Sequence, residues 1–170
     1  MQILHRLERA FVVMNATAVI LCLVVMAGTV FANVSLRMLT NHSIPWADEV
    51  ARYLMIWMTF LGAGLVLRRG GHVAITNLQE GLKGRAQVAL RAGLVVVLLA
   101  FFAFMIWVGY DYMTRMRFQR TPATRIPFSY VYAAMPVGFA LLILHLGLVA
   151  KGFILAGQYR GAPNEAPSHG

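Results

Sequence analysis

The sequence predicts an all-α integral membrane protein with four transmembrane helices and a short interfacial helix between the second and third spans. Three observations carry that prediction. Of the 170 residues, 59% are hydrophobic and only 12% are charged, too few charges to cover a soluble domain of this size, so lipid is the main solvent. Apolar runs recur four times, each long enough to cross a hydrocarbon core of about 30 Å. The basic residues lie between and beside these runs, not in one patch. The formal charge of +9 therefore reads as topology signal and headgroup partner, and no nucleic-acid partner is expected.

The first span covers about 11–32. It follows a short segment carrying His5, Arg6, Glu8 and Arg9, and it contains no charge. Its apolar stretch is far longer than the roughly 7 to 15 residues of a signal-peptide core, so an uncleaved helix is expected. Cys22 falls inside this run as a small core residue. As the only cysteine it can form no internal disulfide and no multi-thiolate metal site. The polar stretch Asn33–Pro45 reads as a turn between antiparallel helices.

The second span, about 46–67, is the most sharply marked. Pro45 suits a first helical turn, and Asp48 and Glu49 sit where the positive end of the helix dipole favours carboxylates. Arg52 lies at i+4 from Asp48 and i+3 from Glu49, so either pair is expected to close on one helix face. At about 100° per residue, Trp46, Glu49, Tyr53, Trp57, Phe60 and Gly64 share one arc. Trp57 is about 16 Å further along the helix than Trp46, which places it inside the bilayer and predicts helix packing for it. The span stops at Arg68-Arg69-Gly70-Gly71.

Between the second and third spans, Ile75, Leu78 and Leu82 recur at i, i+3, i+7 between Gly71 and Gly84, the pattern of a helix lying in the headgroup plane. The third span covers about 86–108. Arg91 snorkels to the nearer surface, and Trp107, Tyr110 and Tyr112 mark the far interface. The connection that follows, Gly109 to Ile126, holds Arg115, Arg117, Arg120 and Arg125, and Pro122 and Pro127 deny it a continuous helix. The fourth span covers about 128–155, with a kink expected where Pro136 removes the bond to the Tyr132 carbonyl. Residues 1–160 thus form one membrane domain, and 161–170 a disordered tail. Counting Lys and Arg on each side gives nine against six with both termini cytoplasmic, the favoured orientation. The arginine-rich outer connection runs against that trend, which suggests another use for it.

The spans carry little chemistry. Asp48, Glu49 and Asp111 all lie near helix ends, and no ionisable carboxylate sits near the midplane where an ion-coupled transporter needs one. His145 is the one ionisable residue deep in an apolar run. It is expected to hydrogen-bond a neighbouring helix, because no second histidine sits at comparable depth to complete a haem site. His42 lies in the outer loop and His72 at a helix end. No Gly-rich phosphate loop, C-x-x-C, H-E-x-x-H or G-x-S-x-G is present, so no enzyme is expected. Two alternatives stay open from the residues: a haem-bearing membrane anchor of a respiratory enzyme, which asks for a second histidine, and a stand-alone four-helix exporter, which asks for a buried carboxylate.

Two segments carry a resemblance. W-A-D-E-V-A-R-Y-L-M-I-W-M-T-F-L-G-A-G-L-V-L-R-R-G-G-H-V, from Trp46 to Val73, and Q-R-T-P-A-T-R-I-P-F-S-Y-V-Y-A-A-M-P-V-G, from Gln119 to Gly138, resemble the small membrane subunit of tripartite ATP-independent periplasmic (TRAP) transporters. The matching positions are Trp46, Glu49, Arg52, Trp57, Gly62, Arg68 and His72 in the first segment, and Pro122, Pro127, Tyr132, Pro136 and Gly138 in the second. The resemblance implies a bacterial or archaeal cytoplasmic-membrane protein that pairs with a large multi-spanning transport subunit and an extracytoplasmic solute-binding protein. Sodium coupling would lie in the large subunit, so no cofactor is expected here, and the solutes would be organic acids. Trp46, Glu49, Arg52, Tyr53, Trp57, Gly62, Arg68, His72, Pro122, Pro127 and Pro136 are then the expected subunit-interface and structural residues. Arg115, Arg117, Arg120 and Arg125 are candidates for docking the binding protein, with membrane lipid as the other partner.

Overall fold

A computed structural model describes residues 2–68 and 85–156. The expected interfacial helix, His72 and the tail 161–170 lie outside the described residues. The chain folds into helices α1 (Gln2–Thr40), α2 (Ala47–Arg68), α3 (Arg85–Arg115), α4 (Ser129–Tyr132) and α5 (Ala134–Ala156), with a 3₁₀ turn at Met116–Phe118 after α3. Four helical segments among the described residues are long and apolar enough to cross a membrane: Glu8–Thr40, Ala47–Arg68, Ala86–Phe118 and Ser129–Ala150.

The helices outrun the apolar stretches that mark them. Nothing in Asn33–Thr40 breaks a helix, so α1 continues to Thr40 and is about 58 Å long. It ends where Asn41 turns left-handed, at φ 57°, and its N–H closes on the Arg37 carbonyl at 3.0 Å, the single-bond form of an αL cap. The turn into α2 is correspondingly short. Asn33, only 7% exposed, ties it down: its Oδ1 accepts from the Ile44 N–H at 2.7 Å and its Nδ2 donates to Asp48 Oδ1 at 3.2 Å. Similarly, α3 runs past Val108 to Arg115, whose Nε donates to Asp111 Oδ2 one turn earlier at 2.8 Å. The connection to the fourth span therefore begins about two turns later than the apolar run suggests.

The fourth span is interrupted at Ala133, between α4 and α5. Pro136 has no N–H to return to the Tyr132 carbonyl, and regular bonding resumes with Val137 N–H to the Ala133 carbonyl at 3.2 Å. The proline thus interrupts the regular helix for one residue, while Ala133 keeps helical dihedrals, φ −59° and ψ −24°.

In space the spans form an open row, α1–α2–α5–α3. The fourth span, last in sequence, is inserted between the second and third, and α1 and α3 do not pack on each other. The core lies where α2, α5 and α3 meet, around Leu67, Val95, Phe102, Leu142 and Leu146. Phe139 of α5 sits at its centre, with ring centroids 5.9 Å from Phe60 of α2 and 5.8 Å from Phe102 of α3. Lipid is as apolar as these side chains, so association rests on close packing. Gly138 supplies it on α5: a Cβ there would lie 2.6 Å from Phe60 Cβ.

α1 stands apart from that core. It lies along α2 and leaves Met14, Leu21, Val24, Phe31 and Met38 exposed; Cys22, expected in a core, is only half-buried.

Candidate docking surface at the loop end of the helices

One carboxylate organises the end of the row that carries the α1–α2 turn and the segment Gln119–Phe128. Glu49, in the first turn of α2, is 8% exposed. Its Oε1 accepts from Tyr53 Oη at 2.8 Å and from Thr124 Oγ1 at 2.6 Å, and its Oε2 accepts from the Ala123 N–H at 2.8 Å. The two threonines lie 2.7 Å apart at their hydroxyls, and Thr121 Oγ1 accepts from the Ile126 N–H at 2.9 Å. Because an ionised carboxylate only accepts, Thr124 must spend its proton on Glu49, so Thr121 donates to Thr124. All donors in the chain point towards Glu49. The loop is closed at its base by Thr121 N–H to the Ile126 carbonyl and Phe128 N–H to the Gln119 carbonyl, both 3.0 Å.

This clamp changes the expected pairing of Arg52. Glu49 is turned to the loop and Asp48 accepts from Asn33, so neither closes on Arg52, which is exposed and makes no ion pair or hydrogen bond among the described residues. Between α2 and the clamped loop lies a groove of about 730 Å³, with Arg52, Tyr53 and Pro122 at its rim and Ile56, Phe60 and Met135 deeper in. The four arginines expected to form one rim are all exposed, but they are not equivalent. Arg115 pairs with Asp111, Arg117 lies over the Phe118 ring at 4.5 Å, and Arg120 Nη1 donates to the Arg125 carbonyl at 3.2 Å. Arg125 itself holds a left-handed backbone, φ 55°, at the tip of the loop.

A second polar cluster joins α1, α2 and α5 near the opposite end. His145 of α5 is fully buried. Its Nε2 lies 3.2 Å from Asn15 Nδ2 of α1, which also donates to the Leu61 carbonyl of α2 at 3.1 Å. As acceptor from that amide, Nε2 leaves the proton on Nδ1. The Phe11 ring packs 4.8 Å away, and Gly64 of α2 makes the room: a Cβ there would meet His145 Cδ2 at 2.3 Å. One turn further along α2, the buried Arg68 is ion-paired with Glu8 of α1. These bonds tie α1 to α2 and α5 at this depth. Asn15→Leu is expected to lower stability in detergent by about 0.5–2 kcal/mol, checked by thermal unfolding, with α1 made more accessible to protease near Arg9.

With this geometry in hand, comparison with known proteins is decisive. Residues 26–151 match the family described as tripartite ATP-independent periplasmic transporters, DctQ component, a match that takes in α2, α3, the clamped loop and most of α5. The chain belongs to the DctQ family. It is 26% identical over 142 residues to the sialic acid TRAP transporter small permease protein SiaQ of Vibrio cholerae, covering 84% of this chain and 78% of that one. It is 30% identical over 128 residues to the ectoine TRAP transporter small permease protein TeaB of Halomonas elongata, covering 73% and 66%. A match of 25% over 104 residues to the isethionate TRAP transporter permease protein DctMQ of Oleidesulfovibrio alaskensis covers 59% of this chain and 16% of that longer protein. As a DctQ-family member the chain is a multi-pass membrane transporter subunit, not an enzyme.

The positions singled out in this DctQ-family sequence are spread over both ends of the row. Glu49, Arg52, Tyr53 and Pro122 come together at the loop-end groove, with Pro127 bridged to Arg120 across the loop base. Trp46 is 47% exposed beside them. Trp57 is half-buried midway along α2, Gly62 faces open space, and Pro136 packs where a Cβ on Gly109 would meet its ring at 2.9 Å. Arg68 belongs to the opposite cluster. Sequence reasoning missed Thr121, Thr124, Asn15, Asn33 and the pairing of Glu8, and it placed Gly64 on the aromatic arc without its contact to His145. The T-P-A-T spacing and Asn15 inside an apolar run were the available signals, since a polar side chain in hydrocarbon needs a partner.

Proposed function

We propose that this DctQ-family chain is the small, non-catalytic scaffold subunit of a sodium-coupled, binding-protein-dependent transporter for organic acids in a bacterial or archaeal cytoplasmic membrane. The observation that carries the reading is the open row of helices: the outward faces of α1 and α2 stay uncovered, and they are a natural seat for a large transport subunit. In this reading Trp46, Trp57 and Gly62 contribute to that seat, the termini are cytoplasmic, and the clamped loop with Arg115, Arg117, Arg120 and Arg125 faces the extracytoplasmic binding protein. Sodium and solute act on the large subunit. The solutes named for relatives, sialic acid, ectoine and isethionate, fit a family that serves several organic solutes through one accessory architecture.

Affinity purification of the tagged chain from its native membrane, followed by mass spectrometry, is expected to recover a large polytopic subunit in about equal amount. Trp57→Ala is expected to reduce that recovery. A clean homo-oligomer, together with solute transport by the chain alone in liposomes, would overturn the scaffold reading. For the loop, the double variant Arg117→Glu with Arg125→Glu is expected to lower uptake in a salt-dependent way, because exposed charges steer a partner over about 10 Å at 0.1 M ionic strength. Unchanged uptake at low salt would leave those arginines to lipid headgroups.

A further inference from the structure

Of the four arginines at the loop end, three are already engaged. Arg115 is paired with Asp111, Arg117 lies over the Phe118 ring, and Arg120 donates to the Arg125 carbonyl. The Arg125 guanidinium alone among the four has no partner within the described residues, and the residue is exposed. Its backbone is the opposite case. The Arg125 N–H donates to the Thr121 carbonyl at 3.2 Å, its carbonyl accepts from Arg120, and Ile126 is bonded to Thr121 through both its N–H and its carbonyl. Ala123 and Thr124, just before it, are held by Glu49. These bonds surround a residue at φ 55°, a left-handed conformation that a long side chain rarely adopts and that glycine takes freely. The fold thus keeps an unfavourable backbone conformation at the one arginine of the loop whose charge is free. Such an outlier persists only where its surroundings over-determine it, and it points to a use for the side chain.

We propose that Arg125 is the anchor of the loop, its guanidinium seating on a carboxylate of the extracytoplasmic solute-binding protein. The inference rests on the reading of this loop as the docking face and singles out one residue of it. A planar guanidinium fork matches the two oxygens of a carboxylate. Because the backbone that carries it is fixed before contact, little ordering remains to be done on binding. That rigidity favours a folded protein over lipid. A bilayer surface presents phosphates across the whole headgroup plane and gains nothing from a cation launched in one fixed direction, whereas a single carboxylate on a folded partner does. Arg115, Arg117 and Arg120 then act at longer range, drawing the partner in without fixing its seat.

The test is the affinity of the purified solute-binding protein of the same transporter for the detergent-solubilised complex of this chain with its large subunit, measured by biolayer interferometry. Arg125→Gly is the informative variant, because glycine holds φ 55° without strain and so removes the guanidinium while keeping the loop. It is expected to weaken binding at least about tenfold, with trypsin cleavage after Arg120 unchanged. Arg125→Lys is expected to retain part of the affinity, and Arg115→Gln and Arg117→Gln each to lose less than about threefold. Equal affinity for wild type and Arg125→Gly would overturn the proposal while leaving the docking reading intact. Equal losses in Arg125→Gly and Arg117→Gln would also overturn it, reducing the effect to diffuse charge. So would full affinity in Arg125→Gly with lower retention of palmitoyl-oleoyl phosphatidylglycerol in native mass spectrometry, which would assign Arg125 to a headgroup. Poorer recovery of the large subunit by Arg125→Gly would overturn it in favour of a contact with that subunit. Absence of binding by the wild-type complex would instead remove the docking reading itself, and this inference with it.

Discussion

Replacing Glu49 with alanine is expected to release the Gln119–Phe128 loop while leaving the four spans in place. The carboxylate accepts three hydrogen bonds, from Tyr53, the Ala123 N–H and Thr124, and the bond between the threonines is oriented by it. Removing it strands a backbone N–H and two hydroxyls together. The loop carries its own reporters, because trypsin cleaves after Arg120 and Arg125 only when the backbone is free to extend. Cleavage at these two sites is expected to rise on the order of tenfold, with little change at other arginines, as for a locally unfolded segment. Glu49→Gln separates shape from charge. It can keep its oxygen on the Ala123 N–H only by turning its NH2 to the Tyr53 and Thr124 hydroxyls, which must then reverse from donors to acceptors and lose the carboxylate's charge, so it too should loosen the loop, by less than alanine. A glutamine variant with wild-type cleavage would show that the charge is dispensable and that packing holds the loop.

Gly64→Ala is expected to have the other large effect, at the junction of α1, α2 and α5. The added methyl would lie 2.3 Å from His145 Cδ2, and the contact is with a ring enclosed on every side, so it cannot swing away. Moving the ring breaks its bond to Asn15 and pushes against Phe11. Overpacking of this kind costs about 1–3 kcal/mol, and thermal unfolding in detergent should register it. The decisive control is the double variant. Gly64→Ala combined with His145→Ala removes the obstruction and should recover more stability than the sum of the single changes allows. Strict additivity would mean that the two residues do not meet. Gly62→Ala, two positions away and facing open space, should leave the isolated chain unaffected, so any loss it causes would appear only with a partner present.

The four spans were legible in the sequence because each is bracketed by charge or proline. Arg9 and Arg37 frame the first, Pro45 and Arg68 the second. Their ends were less so. The first helix stops where a backbone cap acts, at Asn41, and the third tightens into a 3₁₀ turn after Arg115, points that apolar composition does not mark. Glu49 was legible as a residue of interest, but its partners were not. A carboxylate three residues before an arginine reads as a helix pair, and only the fold brings Thr124, 75 positions along the chain, close enough to compete. The hydroxyl and amide donors win because they arrive as a preformed set on a closed loop. The order of helices was illegible for a similar reason: with apolar faces all round, nothing in α5 announces that it inserts between α2 and α3. That position is set by local fits such as Gly138 against Phe60 and Gly64 against His145.

The single-file arrangement of helices has a geometric consequence. Among the described residues a row one helix thick is a partition roughly 10 Å deep, and it encloses no lumen. Each of its side chains is within a helix diameter of a surrounding surface. No permeation path with walls on all sides can be drawn through the described residues, which accords with the proposed reading that a partner subunit bounds the solute. What the partition can define is one side of such a path's surroundings: a fixed boundary, braced at one end by the Glu49 clamp and at the other by the Arg68–Glu8 pair, against which something else is free to move.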